Sequence, residues 1–155
     1  MTKDTFVKGP LLTVIASMQE GYLRILLEEG PCFSLHCQDS IDPSLQQHLR
    51  LWMQSYGEKR DLPSFFLPRK KLPPFSERVY FWLEKTPFGQ TLSYQELAGK
   101  AGNRGAARAV GTLCKNNPLP LLFPCHRVIH ANGPLWQFAF GTSIKEQLLR
   151  FEGVI

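Results

Sequence analysis

The chain has 155 residues, of which 43% are hydrophobic and 20% charged, and this composition suits one or two small globular domains. No stretch approaches the roughly 20 apolar residues of a membrane-spanning helix, and the first residues lack the apolar core of a signal peptide, so we expect a cytoplasmic protein. The formal net charge of +5 lies mainly in the second half, where the residues from Pro74 onward include nine basic and five acidic side chains. A basic half of this kind favours a nucleic-acid partner.

Three strands and one helix are predicted in the first half of the chain. The strands cover residues 11–18, 22–28 and 32–37, which are mainly apolar and are separated by turns containing glycine or proline. Asp42 followed by Pro43 predicts a helix start, because aspartate caps helices and proline fits their first turn. Apolar residues then recur at helical spacing: Leu45, Leu49, Trp52, Met53 and Tyr56. The pattern indicates a strand-rich α+β unit covered by a helix.

A proline-rich segment, residues 61–74, is interpreted as a linker that includes an edge strand at residues 64–67. We therefore divide the chain into an N-terminal domain with its linker, residues 1–73, and a C-terminal domain, residues 74–155.

Four helices are predicted in the C-terminal domain. The first covers residues 76–85, with an inward stripe of Val79, Tyr80 and Leu83. Ser93 and Ser143 each stand three residues before a glutamate, a capping-box pattern that predicts two further helix starts. Another helix begins near residues 103–104 after a glycine-containing turn, so the middle two helices fit a helix-turn-helix. Inward-facing residues are expected on the last helix at Ile144, Leu148 and Phe151.

Four cysteines occur, and in a cytoplasmic protein they are expected to be reduced thiols. Cys32, His36 and Cys37 could form part of a zinc site, but no clear fourth ligand is nearby. We favour a half-buried strand for these residues and predict no metal.

The most informative motif surrounds Cys125, within the sequence Phe-Pro-Cys-His-Arg-Val-Ile at residues 123–129. Pro124 restricts the backbone, so the turn that carries the thiol is stiff. His126 offers a proton acceptor and Arg127 a positive charge, and both favour the thiolate, which is the nucleophilic form of cysteine. The motif therefore predicts a reactive cysteine.

Five blocks of sequence in the second half resemble one family, the O6-alkylguanine-DNA alkyltransferases, also called methylated-DNA–protein-cysteine methyltransferases. The blocks are residues 93–98, 106–111, 116–120, 124–129 and 145–153. The resemblance implies irreversible transfer of an alkyl group from O6-alkylguanine in double-stranded DNA, with O4-alkylthymine as a possible second substrate, to Cys125. It also implies single-turnover chemistry, no cofactor and a monomer. For the fold, it implies a ribonuclease-H-like N-terminal domain and an all-helical, winged or helix-turn-helix-like C-terminal domain.

The resemblance also assigns roles to single residues. His126 would take the thiol proton of Cys125, Glu152 would hold the imidazole, Tyr94 would donate to the departing base and Asn117 would brace the cysteine turn. Implied DNA contacts are Arg108, which would replace the flipped base, together with Ala106, Ala107, Arg127 and Lys115. Implied pocket residues are Val128, Phe138, Ala139, Phe140 and Cys114.

The loop after the cysteine departs from the family pattern near Gln137. Phe138 lacks the hydroxyl of the tyrosine that the family commonly has there, and Phe140 is bulky where some members have glycine. These departures leave open a lesion-binding protein without efficient transfer, although such relatives usually lack the acceptor cysteine. A helix-turn-helix regulator with an unrelated thiol is a second alternative, but it would not explain the cysteine motif or Glu152.

Overall fold

The structure is a computed structural model that describes residues 3–38, 40–131 and 138–155. The chain divides into two compact units, Met1–Lys70 and Lys71–Ile155. The predicted mixture of α and β structure is confirmed: small sheets and five α-helices are present in the described residues. No helix of the described ranges is both long and apolar enough to cross a membrane.

A four-stranded sheet forms the first unit, with the order β1-β4-β2-β3. The strands are β1 (Lys3–Val7), β2 (Leu12–Gln19), β3 (Tyr22–Glu29) and β4 (Phe33–Cys37). β2 and β4 are parallel, whereas the β1–β4 and β2–β3 pairs are antiparallel. The three predicted strands are confirmed within one or two residues, and β1 was not predicted because its polar residues give no alternating apolar pattern.

Helix α1 (Pro43–Gly57) begins and packs as predicted. The carboxylate of Asp42 accepts hydrogen bonds from the backbone N–H groups of Ser44 and Leu45 at 3.0 and 3.3 Å, which satisfies donors left open at the helix start. All five residues of the predicted apolar stripe are buried.

The edge strand predicted at residues 64–67 is wrong. This proline-rich segment contains no strand, and one backbone bond ties its end to the sheet, from Leu23 N–H to Pro68 O at 2.7 Å. Proline cannot donate to a ladder of backbone hydrogen bonds, so the segment follows the sheet without joining it.

The second unit contains four α-helices and a two-stranded parallel sheet. Its elements are α2 (Pro74–Glu84), β5 (Leu92–Ser93), α3 (Tyr94–Lys100), α4 (Ala107–Lys115), β6 (Val128–Ile129) and α5 (Thr142–Phe151). The prediction of an all-helical domain is therefore wrong. Leu92 pairs with Val128 and Ser93 with Ile129, and such short strands depend on a partner distant in sequence.

The two predicted capping serines differ in outcome. Ser93 Oγ accepts a hydrogen bond from Glu96 N–H at 3.0 Å, so the cap of α3 is confirmed. Ser143 lies inside α5, which begins one residue earlier, after Gly141 with a φ of 102°. The positive φ lets glycine turn the chain directly into the helix, so no side-chain cap is used. The inward face of α5 includes Ile144 and Leu148 as predicted, but Leu149 and Lys145 are also buried.

Candidate active site

Cys125 is 2% exposed and begins a single 3₁₀ turn, Cys125–Arg127, directly before β6. The side-chain amide of Asn117 donates to Cys125 Sγ at 3.2 Å and to the carbonyl of Phe123 at 2.8 Å. Its amide oxygen accepts a hydrogen bond from Leu119 N–H at 3.0 Å. Asn117 therefore contacts the thiol of Cys125 and the backbone at Leu119 and Phe123, which is where the predicted bracing role requires it.

A buried ion cluster lies behind the thiol. His126 Nε2 is 2.6 Å from Glu152 Oε2, and both side chains are fully buried. Arg127 approaches the same carboxylate with two nitrogens, Nε at 2.8 Å and Nη2 at 3.1 Å, and donates a third hydrogen bond to the carbonyl of Thr86 at 2.8 Å. The backbone N–H of Gly89 also donates to Glu152 at 3.3 Å. Hydrogen-bonded charges of this kind are tolerated inside a protein because each has its partners.

The charge states of this cluster follow from burial and pairing. Burial acts to raise the pKa of Glu152, but hydrogen bonds and charges from His126 and Arg127 outweigh it and hold the pKa well below the usual range of a carboxyl group. Burial lowers the pKa of His126, and Glu152 opposes this lowering without reversing it. At neutral pH, therefore, an ionised carboxylate faces a neutral imidazole.

This pairing assigns the tautomer of the histidine. The carboxylate is an acceptor, so Nε2 of His126 carries the proton and Nδ1 is left with its lone pair. Nδ1 is buried and has no hydrogen-bond partner within the described part of the structure. A buried acceptor of this kind can receive a proton from a water molecule or a thiol.

The thiol itself is protonated at rest. Burial raises the pKa of Cys125 to about 11, although the hydrogen bond from Asn117 and the charge of Lys145 both lower it. Reaction therefore requires that the proton leave with the help of a base, because the thiolate is the nucleophile.

Lys145 is a residue of this site that the sequence analysis missed. Its side chain is 2% exposed, and Nζ donates to the carbonyl of Val128 at 2.7 Å. Burial lowers the pKa of Lys145, and the neighbouring thiols oppose that lowering. The helical spacing of Lys145, Leu149 and Glu152, which directly follows α5, could have indicated that Lys145 faces the site. Leu149 is apolar, and Glu152 was a predicted site residue.

A pocket of about 800 Å³ opens in front of the thiol. It is lined by Tyr94, Ala107, Arg108, Gly111, Thr112, Cys114, Lys115, Cys125, His130, Phe138 and Ala139. Eight of these were predicted site residues, brought together from α3, α4, the cysteine turn and the segment before α5. Thr112 and His130 were not predicted, and Gly111 was not assigned to the site.

Tyr94 is the first residue of α3, and its ring lies 5.0 Å from the ring of His130 at an angle of 45°. Burial raises the pKa of Tyr94 to about 12, and the two thiols of the pocket add to this effect. The phenol therefore keeps its proton at neutral pH and can act as a hydrogen-bond donor in the pocket.

Residues 74–154 match the family model for the DNA-binding domain of 6-O-methylguanine DNA methyltransferase. The chain belongs to this family. It is 41% identical over 111 residues to the methylated-DNA–protein-cysteine methyltransferase of Cricetulus griseus, a match that covers 66% of this chain and 53% of the relative. The chain thus spans about half the length of this relative and of those from mouse and human. It is also 39% identical over 148 residues to the bifunctional transcriptional activator/DNA repair enzyme Ada of Escherichia coli, covering 90% of this chain and 42% of that protein.

Solved structures of the family agree with the fold. The crystal structure of Mycobacterium tuberculosis O6-methylguanine methyltransferase superposes with a TM-score of 0.60 at 27% identity, over 91% of this chain and 92% of that one. The Mycobacterium tuberculosis OGT in complex with DNA gives a TM-score of 0.59 at 26% identity, over 90% of this chain and 92% of that one.

Some residues implied by the family resemblance lie elsewhere than expected. Arg127 was predicted to contact DNA, but it is 4% exposed, and its guanidinium is engaged by Glu152 and a backbone carbonyl. Val128 is fully buried and is not part of the pocket wall.

Phe140 is also absent from the pocket wall, and its ring packs edge-on against Phe138 at 5.6 Å. Ala106 immediately precedes α4 and likewise does not line the pocket. Gln137 lies outside the described residues.

The buried carboxylate generates a stability prediction. Glu152→Gln should lower the free energy of unfolding by about 3 kcal/mol at pH 7, because it leaves buried Arg127 without its counter-charge. The folded-state pKa of Glu152 is depressed, so this difference is complete above the ordinary carboxyl pKa of about 4.3 and shrinks as the pH falls through the folded pKa. Urea unfolding measured from pH 7 downward tests both the size and the sign.

Glu146→Gln is the matched control, because Glu146 lies on the same helix in an exposed ion pair with Arg150. Its loss should cost at most about 0.5 kcal/mol. Equal effects of the two substitutions would show that the buried cluster does not stabilise the fold.

Proposed function

We propose that this chain repairs DNA by direct reversal of alkylation damage. Cys125 Sγ attacks the alkyl carbon on O6 of guanine, a C–S bond forms, the C–O bond breaks, and the departing guanine is protonated. The observation that carries this proposal is a buried thiol facing an 800 Å³ pocket, with a His126–Glu152 pair behind it. The names of the relatives support the same reaction. O4-alkylthymine has an equivalent alkylated exocyclic oxygen and is therefore the second substrate to test.

The thiol proton goes to Nδ1 of His126, through a water molecule that this buried acceptor can bind. Glu152 holds the opposite nitrogen and stabilises the imidazolium that forms. Asn117 stabilises the developing thiolate by its hydrogen bond to Sγ, and the charge of Lys145 acts in the same direction. The product thioether is stable, so each molecule reacts once and needs no cofactor.

Tyr94 supplies the proton or hydrogen bond that the departing guanine requires. Its phenol is protonated at neutral pH and lies in the same pocket as the nucleophile. Phe138 lines the pocket with a ring that has no hydroxyl, so it contacts the base through its apolar surface.

The DNA-binding element is proposed to be the pair α3 and α4, arranged as a helix-turn-helix that enters the minor groove. Ala107, Arg108 and Lys115 of α4 line the pocket mouth, where a backbone carrying phosphates would pass. The alkylated atom lies inside the base stack, so the nucleotide must flip out to reach a buried thiol. Arg108 would then fill the gap left in the duplex.

For the whole chain, we propose a monomer with a ribonuclease-H-like N-terminal unit. The domain division proposed from the sequence places the alkyltransferase domain at residues 74–155. The family model covers nearly the same span, residues 74–154.

Duplex DNA carrying O6-methylguanine with a labelled methyl group tests the reaction. Wild-type protein should acquire one methyl group per molecule, located by mass spectrometry on the peptide that contains Cys125. Cys125→Ala should acquire none and should still bind DNA, because affinity rests on phosphate and groove contacts. Cys37→Ala is the matched control, a buried free cysteine of the first unit whose loss should leave transfer intact. Label on Cys114, or binding without transfer by the wild type, would refute the proposal.

Arg108→Ala should slow the repair of duplex DNA by at least about tenfold, because extrusion of a base costs a few kcal/mol, which the arginine would partly offset by filling the gap. Reaction with the free base O6-benzylguanine should change little, since no duplex must open. Arg150→Ala removes an exposed arginine of α5 and controls for the loss of charge. Equal losses on duplex and free base would assign Arg108 a different role.

Gly111→Ala should have opposite effects on stability and on DNA binding. Gly111 lies inside α4, and an added β-carbon would meet no protein atom within 4 Å. Alanine should therefore stabilise the helix by about 0.5–1 kcal/mol. If the part of α4 that carries Ala107 and Gly111 approaches DNA closely, the extra methyl group should weaken binding to duplex DNA. Thermal unfolding and titration with labelled duplex measure the two effects, and unchanged DNA affinity would contradict the proposed contact.

A further inference from the structure

His130 lines the pocket but has no role in the proposed transfer reaction. It follows β6 directly and lies outside the His126–Glu152–Arg127 cluster. Its position next to Tyr94 nevertheless has a clear structural origin.

That origin is the register of the small parallel sheet. Leu92 pairs with Val128 and Ser93 pairs with Ile129, so the residues that directly follow the two strands are Tyr94, which begins α3, and His130. Neighbouring strands lie about 4.8 Å apart, and side chains at equivalent positions point to the same face. The two side chains thus start from neighbouring positions, and their rings lie 5.0 Å apart.

The consequence concerns the freedom of the Tyr94 ring. Tyr94 stands at the start of α3 beside an open pocket and is only partly buried. An aromatic side chain there can swing about χ1 and χ2 unless neighbouring atoms restrict it. The imidazole of His130 lies within the range of favourable aromatic contact and restricts the movement of the phenol on that side.

We propose that His130 is a positioning residue for the transfer reaction: its ring packs against Tyr94 and holds the phenol where the departing guanine needs a donor. The proposal rests on the proposed alkyl transfer and on the donor role of Tyr94 within it. The ring surface of His130 performs this function, so a phenyl ring can replace it.

Single-turnover kinetics with duplex DNA containing O6-methylguanine test the proposal. His130→Ala should lower the maximal transfer rate about tenfold, because a donor displaced from its productive geometry contributes much less. The half-saturating DNA concentration should stay within about twofold, since phosphate contacts set affinity. His130→Phe should restore the rate to within about twofold of the wild type, and in a Tyr94→Phe background His130→Ala should cost less than about twofold more.

Two controls separate positioning from general damage. Alkylation of Cys125 by iodoacetamide, which has no guanine leaving group, should proceed equally in wild type and His130→Ala. His48→Ala removes a histidine stacked on Phe65 at 5.1 Å in the first unit and should leave transfer unchanged.

Several results would overturn the proposal. These are a wild-type transfer rate in His130→Ala, failure of His130→Phe to rescue, full additivity with Tyr94→Phe, or an equal loss in the iodoacetamide reaction. Absence of transfer in the wild type would instead refute the proposed function itself, and the role of His130 would fall with it.

Discussion

The buried carboxylate of Glu152 is the constraint on which the second unit depends. It stands at the end of α5, yet it accepts hydrogen bonds from His126 and Arg127 in the cysteine turn and from the backbone of Gly89. An ionised group inside a protein is costly unless its oxygens are satisfied, and here both are. The same contacts join three segments distant in sequence, so Glu152 fixes the turn that carries Cys125.

Burial favours the uncharged form of both Cys125 and His126 in this site. It keeps the Cys125 thiol protonated, with a pKa of about 11, and it keeps the neighbouring imidazole neutral. In the proposed reaction, the thiol must therefore lose its proton to a base when it attacks the substrate. Asn117 and Lys145 limit the energetic cost of the thiolate that must then form.

Local signals in the sequence predicted local structure well. The caps at Asp42 and Ser93 and the buried stripe of α1 depend on residues within one or two helical turns, and all are confirmed. The β5–β6 pair was missed, because two-residue strands have no periodicity and form only through a distant partner. The start of α5 was misplaced, because the φ of Gly141 overrides the capping-box pattern at Ser143.

The wrong or missed predictions at the site also involve partners that are distant in sequence. Arg127 was predicted to contact DNA, because nothing near it in sequence reveals the carboxylate of Glu152, which is 25 residues away. Lys145 was overlooked because lysine is rarely buried without a partner, and its partner is a backbone carbonyl on another element. The pocket residues were predicted more successfully, but the sequence motif around Cys125 did not reveal that β6 carries His130 into the same wall.

The small parallel sheet holds Tyr94 and the cysteine turn independently of α4, the helix proposed to contact DNA. Tyr94 directly follows β5, and Cys125 lies in the turn directly before β6. Helix α4, with its arginine and small residues, lies in the segment that connects these two strands. Strand pairing therefore links Tyr94 to the segment that carries Cys125 without the intervening helix. Under the proposed function, sequence change in α4 can therefore alter DNA recognition while strand pairing keeps Tyr94 and the cysteine turn in place, a modular arrangement in which specificity can diverge faster than mechanism.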